Sequence, residues 1–326
     1  MTDLKQRILA AVGPDLAAIE QALADHLDPH YELVRQVAGH LLFAGGKRLR
    51  PLLMLLCGRL CGHDTQDAIA SAIIFEYLHA ATLIHDDVVD GADLRRGRTV
   101  AHKVWDPPTA VLTGDFLLAR ALTLAARTQM PAVIATIAGI TEFMAQGEIN
   151  QLARKGDVTL SEADYMDVIR CKTAVLFQGA CRVGGLLARA PQPIIEALAD
   201  YGLHLGMAFQ MADDLLDYTQ QTDTLGKRAG ADLLEGKLTL PVIHALRHAT
   251  PAEQTWMKSL IAAQAFTPDQ LQQFIAILQS CDAIAYTRDR AADHMARAKT
   301  ILDGFPPGPA RTVLADIVDY AWARAN

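Results

Sequence analysis

The 326-residue sequence predicts an all-α protein, and three observations point to that class. Long stretches rich in Ala, Leu and Glu recur along the chain, whereas runs that alternate apolar and polar residues are hard to find. Two segments, 68–90 and 203–218, are apolar on nearly every face, which is typical of helices at the centre of a bundle. No repeat of fixed period and no long Pro/Ser linker divides the chain, so we expect one all-α domain over residues 1–326.

The expected helix starts follow from local capping signals. Ser161, Thr250 and Thr267 each precede, by three residues, an acid or amide that can complete a capping box. Pro51 and Pro241 are expected in first turns, where a missing N–H costs no helical hydrogen bond. The polar, glycine-containing segment 219–239 is expected to be a loop, and long loops of this kind are often lids over a site.

Composition and charge exclude several classes of protein. The chain is 51% hydrophobic and 21% charged, which is ordinary for a globular core, and its net charge of −7 argues against a general nucleic-acid binder. Five scattered cysteines indicate a reducing compartment. Charges are mixed into the apolar N-terminal residues, unlike a secretory signal, and Glu76 and His79 interrupt the longest apolar stretch. We therefore expect a soluble, cytoplasmic protein without a membrane span.

Two aspartate triplets of the pattern DDxxD end the two apolar helices. Residues four apart share a helix face, and unpaired carboxylates in an apolar helix would be costly. An acidic helix turn alone is commonly a solvated surface, but two such triplets can face each other across a cleft and hold several Mg²⁺ ions. The predicted metal ligands are Asp86, Asp87, Asp90, Asp213, Asp214 and Asp217.

Basic residues accompany the triplets in several separate clusters. Arginine forks and lysine charges are typical anchors for phosphate oxygens, and the clusters predict two phosphorylated substrates. The loop 45–51 is not a Walker motif, because the required order of residues is absent. Arg48 and Arg228 are interpreted as solvated surface charges, whereas His79, on the same helix face as the first triplet, is expected to contact substrate. The candidate phosphate anchors are Lys47, Arg50, Arg95, Arg96, Lys172, Lys227 and Lys237.

These motifs, in this order and spacing, resemble the trans-prenyltransferase family, the all-trans polyprenyl diphosphate synthases. The stretches that carry the resemblance lie between about residue 40 and 245: GGKRLRP, EYLHAATLIHDDVVDGADLRRG, GDFLLARA, KTAVLFQGA, FQMADDLLDY and GADLLEGKLTLP. The resemblance implies an isoprenoid-synthase-type helical bundle around a central cleft. It also implies Mg²⁺-dependent, head-to-tail condensation of isopentenyl diphosphate onto an allylic diphosphate, and a homodimer.

The resemblance also implies a role for each matching residue. The residues implied to be catalytic are Asp86, Asp87, Asp90, Lys172, Thr173, Gln210 and Asp213. Isopentenyl diphosphate would be bound by Lys47, Arg50, His79 and Arg96. The allylic diphosphate would be bound by Arg95, Lys172, Thr173, Gln210, Lys227 and Lys237. Thr173 and Gln210 would lie near the reacting carbons, where oxygen dipoles can stabilise positive charge.

Product length is indicated by the residues four and five positions before the first triplet, where bulky side chains block the growing chain in this family. Here they are Thr82 and Ala81, both small, which predicts a long-chain product, octaprenyl to decaprenyl diphosphate, as quinone side chains require. Phe143 or Met144 could form the floor of the channel or could be ordinary core residues. The loop after Arg98 lacks the family's proline–threonine pair, so its geometry does not follow from the resemblance.

Four alternatives are weighed against this reading. A terpene cyclase usually lacks the second full triplet and the Gly-Gly-Lys loop, and a non-catalytic subunit of a two-component synthase tends to lose aspartates; this chain has kept them all. An HD-type phosphohydrolase would use the His85–Asp86 pair, but the second triplet and the cations would then be unexplained. A short-chain synthase, making farnesyl or geranylgeranyl diphosphate, shares the reaction and differs only in product.

Overall fold

The computed structural model describes residues 2–65, 67–219 and 230–323, and the predicted all-α class is confirmed. The helices of the first half are α1 Thr2–Leu27, α2 Glu32–Leu42, α3 Leu49–Leu60, α4 Asp67–Ala72, α5 Ile74–Val89, α6 Ala101–Val104, α7 Pro107–Arg127 and α8 Pro131–Ala153. Two short antiparallel strands, β1 Leu94–Arg95 and β2 Arg98–Thr99, form a hairpin between α5 and α6.

The second half begins with α9 Glu162–Ile169, which runs through a π-helical segment, Arg170–Ala174, into α10 Val175–Leu187. The helices that follow are α11 Gln192–Thr219, α12 Ala231–Leu234, α13 Leu240–His248, α14 Pro251–Ala263, α15 Pro268–Ser280, α16 Ala283–Asp303 and α17 Pro309–Ala323. The predicted lid residues Lys227 and Arg228 lie outside the described residues.

The bundle is built around α5, α10 and α11. Helix α5 packs against α7, α10 lies between α3 and α11, and α11 packs against α16. The predicted apolar helix 68–90 is divided at Ile73 into α4 and α5, whereas segment 203–218 is the C-terminal part of the longer α11. Among the described residues, Asp67–Val89 and Pro107–Arg127 are long and apolar enough to cross a membrane, but both are helices of this packed core.

The predicted capping signals are confirmed where helices begin. Ser161, Thr250 and Thr267 each form a capping box, in which the hydroxyl accepts the N–H three residues on and that residue's side chain accepts the cap's own N–H. Pro51 and Pro241 lie in the first turns of α3 and α13. These local signals therefore act as expected, because capping depends on residues only three positions apart.

Candidate active site

The candidate site lies where α5 and α11 end on either side of the π-helical segment 170–174. Two glycines allow the close packing there. A Cβ on Gly147 of α8 would lie 2.6 Å from Cys171 Cβ, and a Cβ on Gly206 of α11 would lie 2.6 Å from Ala174 Cα. Real Cβ atoms essentially never come so close, so glycine at both positions lets α8 and α11 pack closely against the π-helical segment.

The π-helical segment connects the two aspartate triplets through Lys172 and Thr173. Lys172 Nζ lies 2.5 Å from Glu148 Oε2, and 3.8 Å from Asp86 Oδ2. Thr173 Oγ1 donates to Gln210 Oε1 at 2.7 Å. The Gln210 amide in turn donates to Asp214 Oδ1, also at 2.7 Å. This chain of contacts brings both triplets to one site.

In the first triplet, Asp86 and Asp90 face other charged groups of the site. Burial raises the pKa of Asp86 to about 6; the Lys172 charge opposes that rise, and Glu148 and Asp90 add to it. Burial also acts to raise the pKa of Asp90, but hydrogen bonds and charges from Lys237 and then Lys155 outweigh it, so the net shift is downward. Asp86 and Asp90 thus lie one helical turn apart, and their pKa values are shifted in opposite directions.

Asp87 points to a different neighbour. Its carboxylate is buried, and its Oδ1 accepts Arg95 Nε at 2.8 Å and lies 2.7 Å from Arg95 Nη2. Asp87 and Arg95, assigned by sequence to a metal and to the allylic diphosphate, here neutralise each other.

The second triplet also separates into different roles. Asp214 is buried and accepts the Tyr165 hydroxyl at 2.6 Å; burial raises its pKa to about 8. Asp217 accepts the N–H groups of Ala231 and Asp232 at 3.1 and 3.2 Å and so joins α12 to α11. Asp213 is partly exposed, and its charge acts on the Arg50 guanidinium. Asp213 is therefore the member of this triplet that best fits a metal ligand.

In the cation-rich loop before α3, Arg48 is placed differently from the sequence-based prediction. The prediction of a solvated Arg48 is wrong, because the side chain is buried between two carboxylates from other helices. Its Nε donates to Glu20 Oε1 and its Nη1 to Glu76 Oε1, each at 2.6 Å. The partners lie 28 residues away on either side, so no local pattern in the sequence reveals them.

Arg50, by contrast, is a half-buried residue whose buried Nε finds no hydrogen-bond partner in the described structure. Its guanidinium carbon lies 4.7 Å from the centre of the Phe177 ring, and burial lowers its pKa to about 10. Buried donors are normally paired, so a ligand oxygen is the partner expected here. Lys47 precedes α3, and its Nζ lies 5.8 Å from the ring centres of Phe209 on α11 and Tyr320 on α17.

His79 is surrounded by arginines. Burial lowers its pKa well below the ordinary histidine value, and the charges of Arg50, Arg96 and Arg95 lower it further. The imidazole is therefore neutral near pH 7, and one of its nitrogens can donate a hydrogen bond to an anion without adding charge.

The hairpin replaces the loop that the sequence left undetermined. Arg96 and Gly97 have φ of 53° and 74°, the left-handed pair that a two-residue type I′ turn requires. Arg95 reaches Asp87, whereas Arg96 Nη1 donates to the carbonyl of Gly45 in the loop before α3. The hairpin thus ties the first triplet to the cation-rich loop.

The predicted chain-length residues lie on two helices. Ala81 is buried in the core, and the Thr82 hydroxyl donates to the His79 carbonyl at 2.9 Å. Phe143 is 45% exposed on the outer face of α8, with its ring centre 5.8 Å from the Arg170 guanidinium carbon. The next residue, Met144, faces the core. Of the two floor candidates, only Met144 is placed in the interior.

Sequence reasoning missed several residues that line this site. Glu148 and Gln151 hold Lys172, Tyr165 holds Asp214, and Lys155 contacts Asp90. The only available signal was an acid and an amide three residues apart within apolar α8, which places both on one helix face.

The donor set fits a hard divalent cation. In the part of the chain that the structure describes, no three His, Cys, Asp or Glu side chains converge into a closed metal cage. Mg²⁺ does not need one, since it binds through one or two carboxylates and completes its shell with water and phosphate oxygens. His85, the first residue of the HD pair, lies 3.0 Å from the Val111 carbonyl and 3.4 Å from Asp115. Neither neighbour is a histidine, and an HD-type metal site would need further histidine ligands.

Comparisons with known proteins show which family the chain belongs to. A family model described as polyprenyl synthetase matches residues 31–278. An all-trans-nonaprenyl-diphosphate synthase (geranyl-diphosphate specific) from Rhodobacter capsulatus is 39% identical over 323 residues, covering 99% of this chain and 98% of that protein. An octaprenyl diphosphate synthase from Escherichia coli is 35% identical over 319 residues, covering 98% of each.

The solved structures agree in three dimensions. A polyprenyl synthase from Caulobacter crescentus, complexed with calcium and isoprenyl diphosphate, superposes with a TM-score of 0.93 at 39% identity over 98% of each chain. The expected fold is thereby confirmed, and the cyclase and phosphohydrolase alternatives fall away. The protein belongs to the polyprenyl synthetase family and is a prenyltransferase, a polyprenyl diphosphate synthase.

Proposed function

We propose that one all-α domain makes a long-chain all-trans product, octaprenyl to decaprenyl diphosphate, by repeated condensation of isopentenyl diphosphate onto an allylic diphosphate. The observation that carries the proposal is the arrangement of two cation groups on either side of the first triplet. Lys172 and Lys237 contact or approach its carboxylates, whereas Arg50, Arg96 and His79 form a separate group. Two groups suit two diphosphates.

The allylic diphosphate would lie between the triplets. Lys172 and Lys237, with Arg95 and with Lys227 from outside the described residues, would bind its oxygens. Mg²⁺, held by Asp86, Asp90 and Asp213, with Asp87, Asp214 and Asp217 fixing the walls, would act as a Lewis acid that neutralises charge on the leaving diphosphate.

Isopentenyl diphosphate would bind the second group. The orphaned Nε of Arg50 would donate to a diphosphate oxygen, with Lys47, Arg96 and neutral His79 beside it. The charge of Asp213 acts on the Arg50 guanidinium, which supports a position for this group beside the second triplet, where the two substrates would meet.

The reacting carbons would lie near Thr173 and Gln210. The amide of Gln210 cannot turn freely, because its oxygen accepts from Thr173 and its nitrogen donates to Asp214. The fixed oxygen dipoles stabilise the allylic cation without reorganising during the reaction. The released diphosphate is the proposed proton acceptor, since no side chain among the described residues of the site serves as an evident general base.

The growing chain would pass Ala81 and Thr82 on α5 and enter the core toward α8. Small side chains at these two positions would leave the entrance open, and Met144, which is buried, is the candidate for the floor. A helix of ~20 residues is ~30 Å long, which is room for several isoprene units. The similarity to nonaprenyl and octaprenyl synthases supports the same length class.

We further propose a soluble, cytoplasmic homodimer that supplies quinone side chains. Helices α7 and α8 pack against each other, and each exposes large apolar side chains that would form one surface. This surface, named the α7–α8 face, comprises Val111, Leu112, Leu122, Ile134, Phe143 and Ile149. A second copy presenting the same face would bury it symmetrically.

The deciding experiment incubates purified protein with Mg²⁺, farnesyl diphosphate and labelled isopentenyl diphosphate, and sizes the extracted products. A ladder ending at octaprenyl to decaprenyl diphosphate supports the proposal. A short product keeps the reaction but refutes the length. No incorporation with dimethylallyl, geranyl or farnesyl diphosphate would identify the chain as a subunit that is inactive alone.

A further inference from the structure

Lys155 lies just beyond the end of α8 and contacts the first triplet, although it belongs to none of the motifs that mark the site. Its Nζ is 3.1 Å from Asp90 Oδ1, and Lys237 Nζ is 2.9 Å from Asp90 Oδ2. The Asp90 side chain is only 8% exposed and that of Lys155 is 26% exposed. One shielded carboxylate therefore receives two ammonium groups, one on each oxygen.

The backbone holds the two lysines side by side. The N–H of Gly156 donates to the carbonyl of Gly236 at 2.8 Å, so the residues next to Lys155 and Lys237 are joined directly. Both glycines have left-handed φ, 74° and 71°, a conformation that other residues adopt only with strain. The position of Lys155 is thus set by paired loops, and does not depend on the chance meeting of two flexible side chains.

The local charges show what ligand this arrangement suits. Lys237 has a second carboxylate, since its Nζ also lies 2.5 Å from Glu235 Oε2. Lys155 therefore adds a second positive charge at Asp90, whose other partner, Lys237, also has an ion pair with Glu235. A divalent cation on Asp90 would repel both ammonium groups, whereas a diphosphate bound to that cation would attract them.

We propose that Lys155 is a further allylic-diphosphate-binding residue that acts beside Lys237. It competes with the divalent cation for Asp90 and turns to the diphosphate oxygens when cation and diphosphate bind together. This inference rests on the proposed function, because it requires the allylic diphosphate to lie against the first triplet.

The test uses Lys155→Met and Lys155→Arg in the full-length protein. The matched control is Lys299→Met, which removes another lysine–carboxylate pair, with Asp319, from between α16 and α17. Two affinities are measured without turnover: that for Mn²⁺ alone, from the electron paramagnetic resonance of the free ion, and that for farnesyl thiolodiphosphate at saturating Mg²⁺, by calorimetry.

Lys155→Met should bind the analogue about tenfold more weakly, as expected for one charge-assisted hydrogen bond. It should bind Mn²⁺ about threefold more tightly, because the partly exposed Lys155 ammonium no longer competes with Mn²⁺ for the Asp90 carboxylate. Lys155→Arg keeps the charge and Lys299→Met lies away from the site, so both affinities of these two variants should stay within about twofold of the wild type. A purely structural role would not shift the two affinities in opposite directions.

Unchanged affinities in Lys155→Met, or weakening of both, would overturn the inference. If the wild type itself bound no analogue, the proposed function would fail and the inference with it. That result is distinct from a wild type that binds normally beside an unaffected Lys155→Met.

Discussion

At the scale of single residues, the Arg48 guanidinium illustrates how burial changes the meaning of a charge. Its removal would leave Glu76, which is 4% exposed, without the guanidinium that donates a hydrogen bond to it, so that only the more distant charges of Arg50 and Arg96 would act on this carboxylate. We therefore expect Arg48→Met to lower the free energy of unfolding by about 3–5 kcal/mol in denaturant titration.

A matched control is available for that change. Arg35 pairs with Glu32 on the exposed surface of α2, and Arg35→Met should cost less than about 1 kcal/mol. The double variant Arg48→Met, Glu76→Leu should recover part of the loss, because no carboxylate is then stranded. Equal costs for the two arginines would contradict this account.

Asp86 provides the residue-scale test of catalysis. Asp86→Ala removes a carboxylate that lies 3.8 Å from Lys172 and is proposed to bind Mg²⁺. Loss of a metal ligand should reduce kcat by roughly a thousandfold, equivalent to several kcal/mol of charge stabilisation. Circular dichroism should show unchanged helix content. Asp25→Ala, on the exposed face of α1, should retain full activity; normal turnover in Asp86→Ala would refute the metal assignment.

The histidine pair between α11 and α16 makes stability depend on pH. His204 Nδ1 and His294 Nδ1 are 2.8 Å apart. Burial lowers the pKa of His294 to about 4, and the charges of His204 and Arg297 add to the shift; burial also lowers the pKa of His204. Unfolded histidines titrate near 6.5, so between about pH 6.5 and 4 the unfolded chain binds more protons. The free energy of unfolding should therefore decrease as pH falls through this window.

The variant His294→Gln should remove about 1–2 kcal/mol of that decrease, after allowance for partial exposure. The measurement is denaturant unfolding at pH 7 and pH 4.5 for wild type and variant. His30→Gln, at an exposed site, is the control and should keep the wild-type pH dependence. A variant as acid-sensitive as the wild type would show that the pair does not cause the loss.

At the scale of helices, α5 is expected to set product length. Ala81 lies five residues before Asp86 on a buried face, so a phenyl ring there would enter the space of the growing chain. Ala81→Phe should shift the product by several isoprene units toward farnesyl or geranylgeranyl diphosphate in the sizing assay. Ala24→Phe, on the exposed side of α1, should leave product length unchanged. An unaltered product from Ala81→Phe would refute the channel along α5.

Helices and their starts could be predicted from sequence because their causes are local. The capping boxes at Thr250 and Thr267 need only residues three positions away. The break at Ile73 and the hairpin at Arg96–Gly97 could not be predicted in this way, since neither carries a proline or an Asn-Gly signal. The hairpin is instead accompanied by distant contacts, of Arg95 with Asp87 and of Arg96 with the Gly45 carbonyl.

At the scale of the whole molecule, the α7–α8 face is expected to be the contact between two subunits. Wild-type protein should be a dimer in light scattering. Leu112→Asp with Ile149→Asp places charges on two side chains that are 66% and 67% exposed, and should yield monomers. Leu33→Asp, at an apolar residue 49% exposed on α2, should leave the dimer intact. A monomeric wild type, or a double variant that still dimerises, would contradict the proposal.

The site shows the same division between local and distant causes. The triplets and the cations could be read from the sequence, because each lies in a short motif. Which aspartates serve which purpose could not, since Asp214 is held by Tyr165 and Asp90 by Lys155 and Lys237, residues 49 to 147 positions away. The sequence therefore indicates which residues are candidates for the chemistry, and the proposed division into metal ligands and supporting residues rests on tertiary contacts.

The π-helical segment also limits how this chain can change in length. Each α-helical residue turns the chain by about 100°, so deleting one residue from 170–174 would rotate α9 against α10 by that angle. Lys172 would then leave Glu148, and Thr173 would leave Gln210. Insertions and deletions are therefore expected to be tolerated in surface connections such as 264–267 long before they are tolerated here. The number of residues in the π-helical segment therefore fixes how α9 is rotated relative to α10.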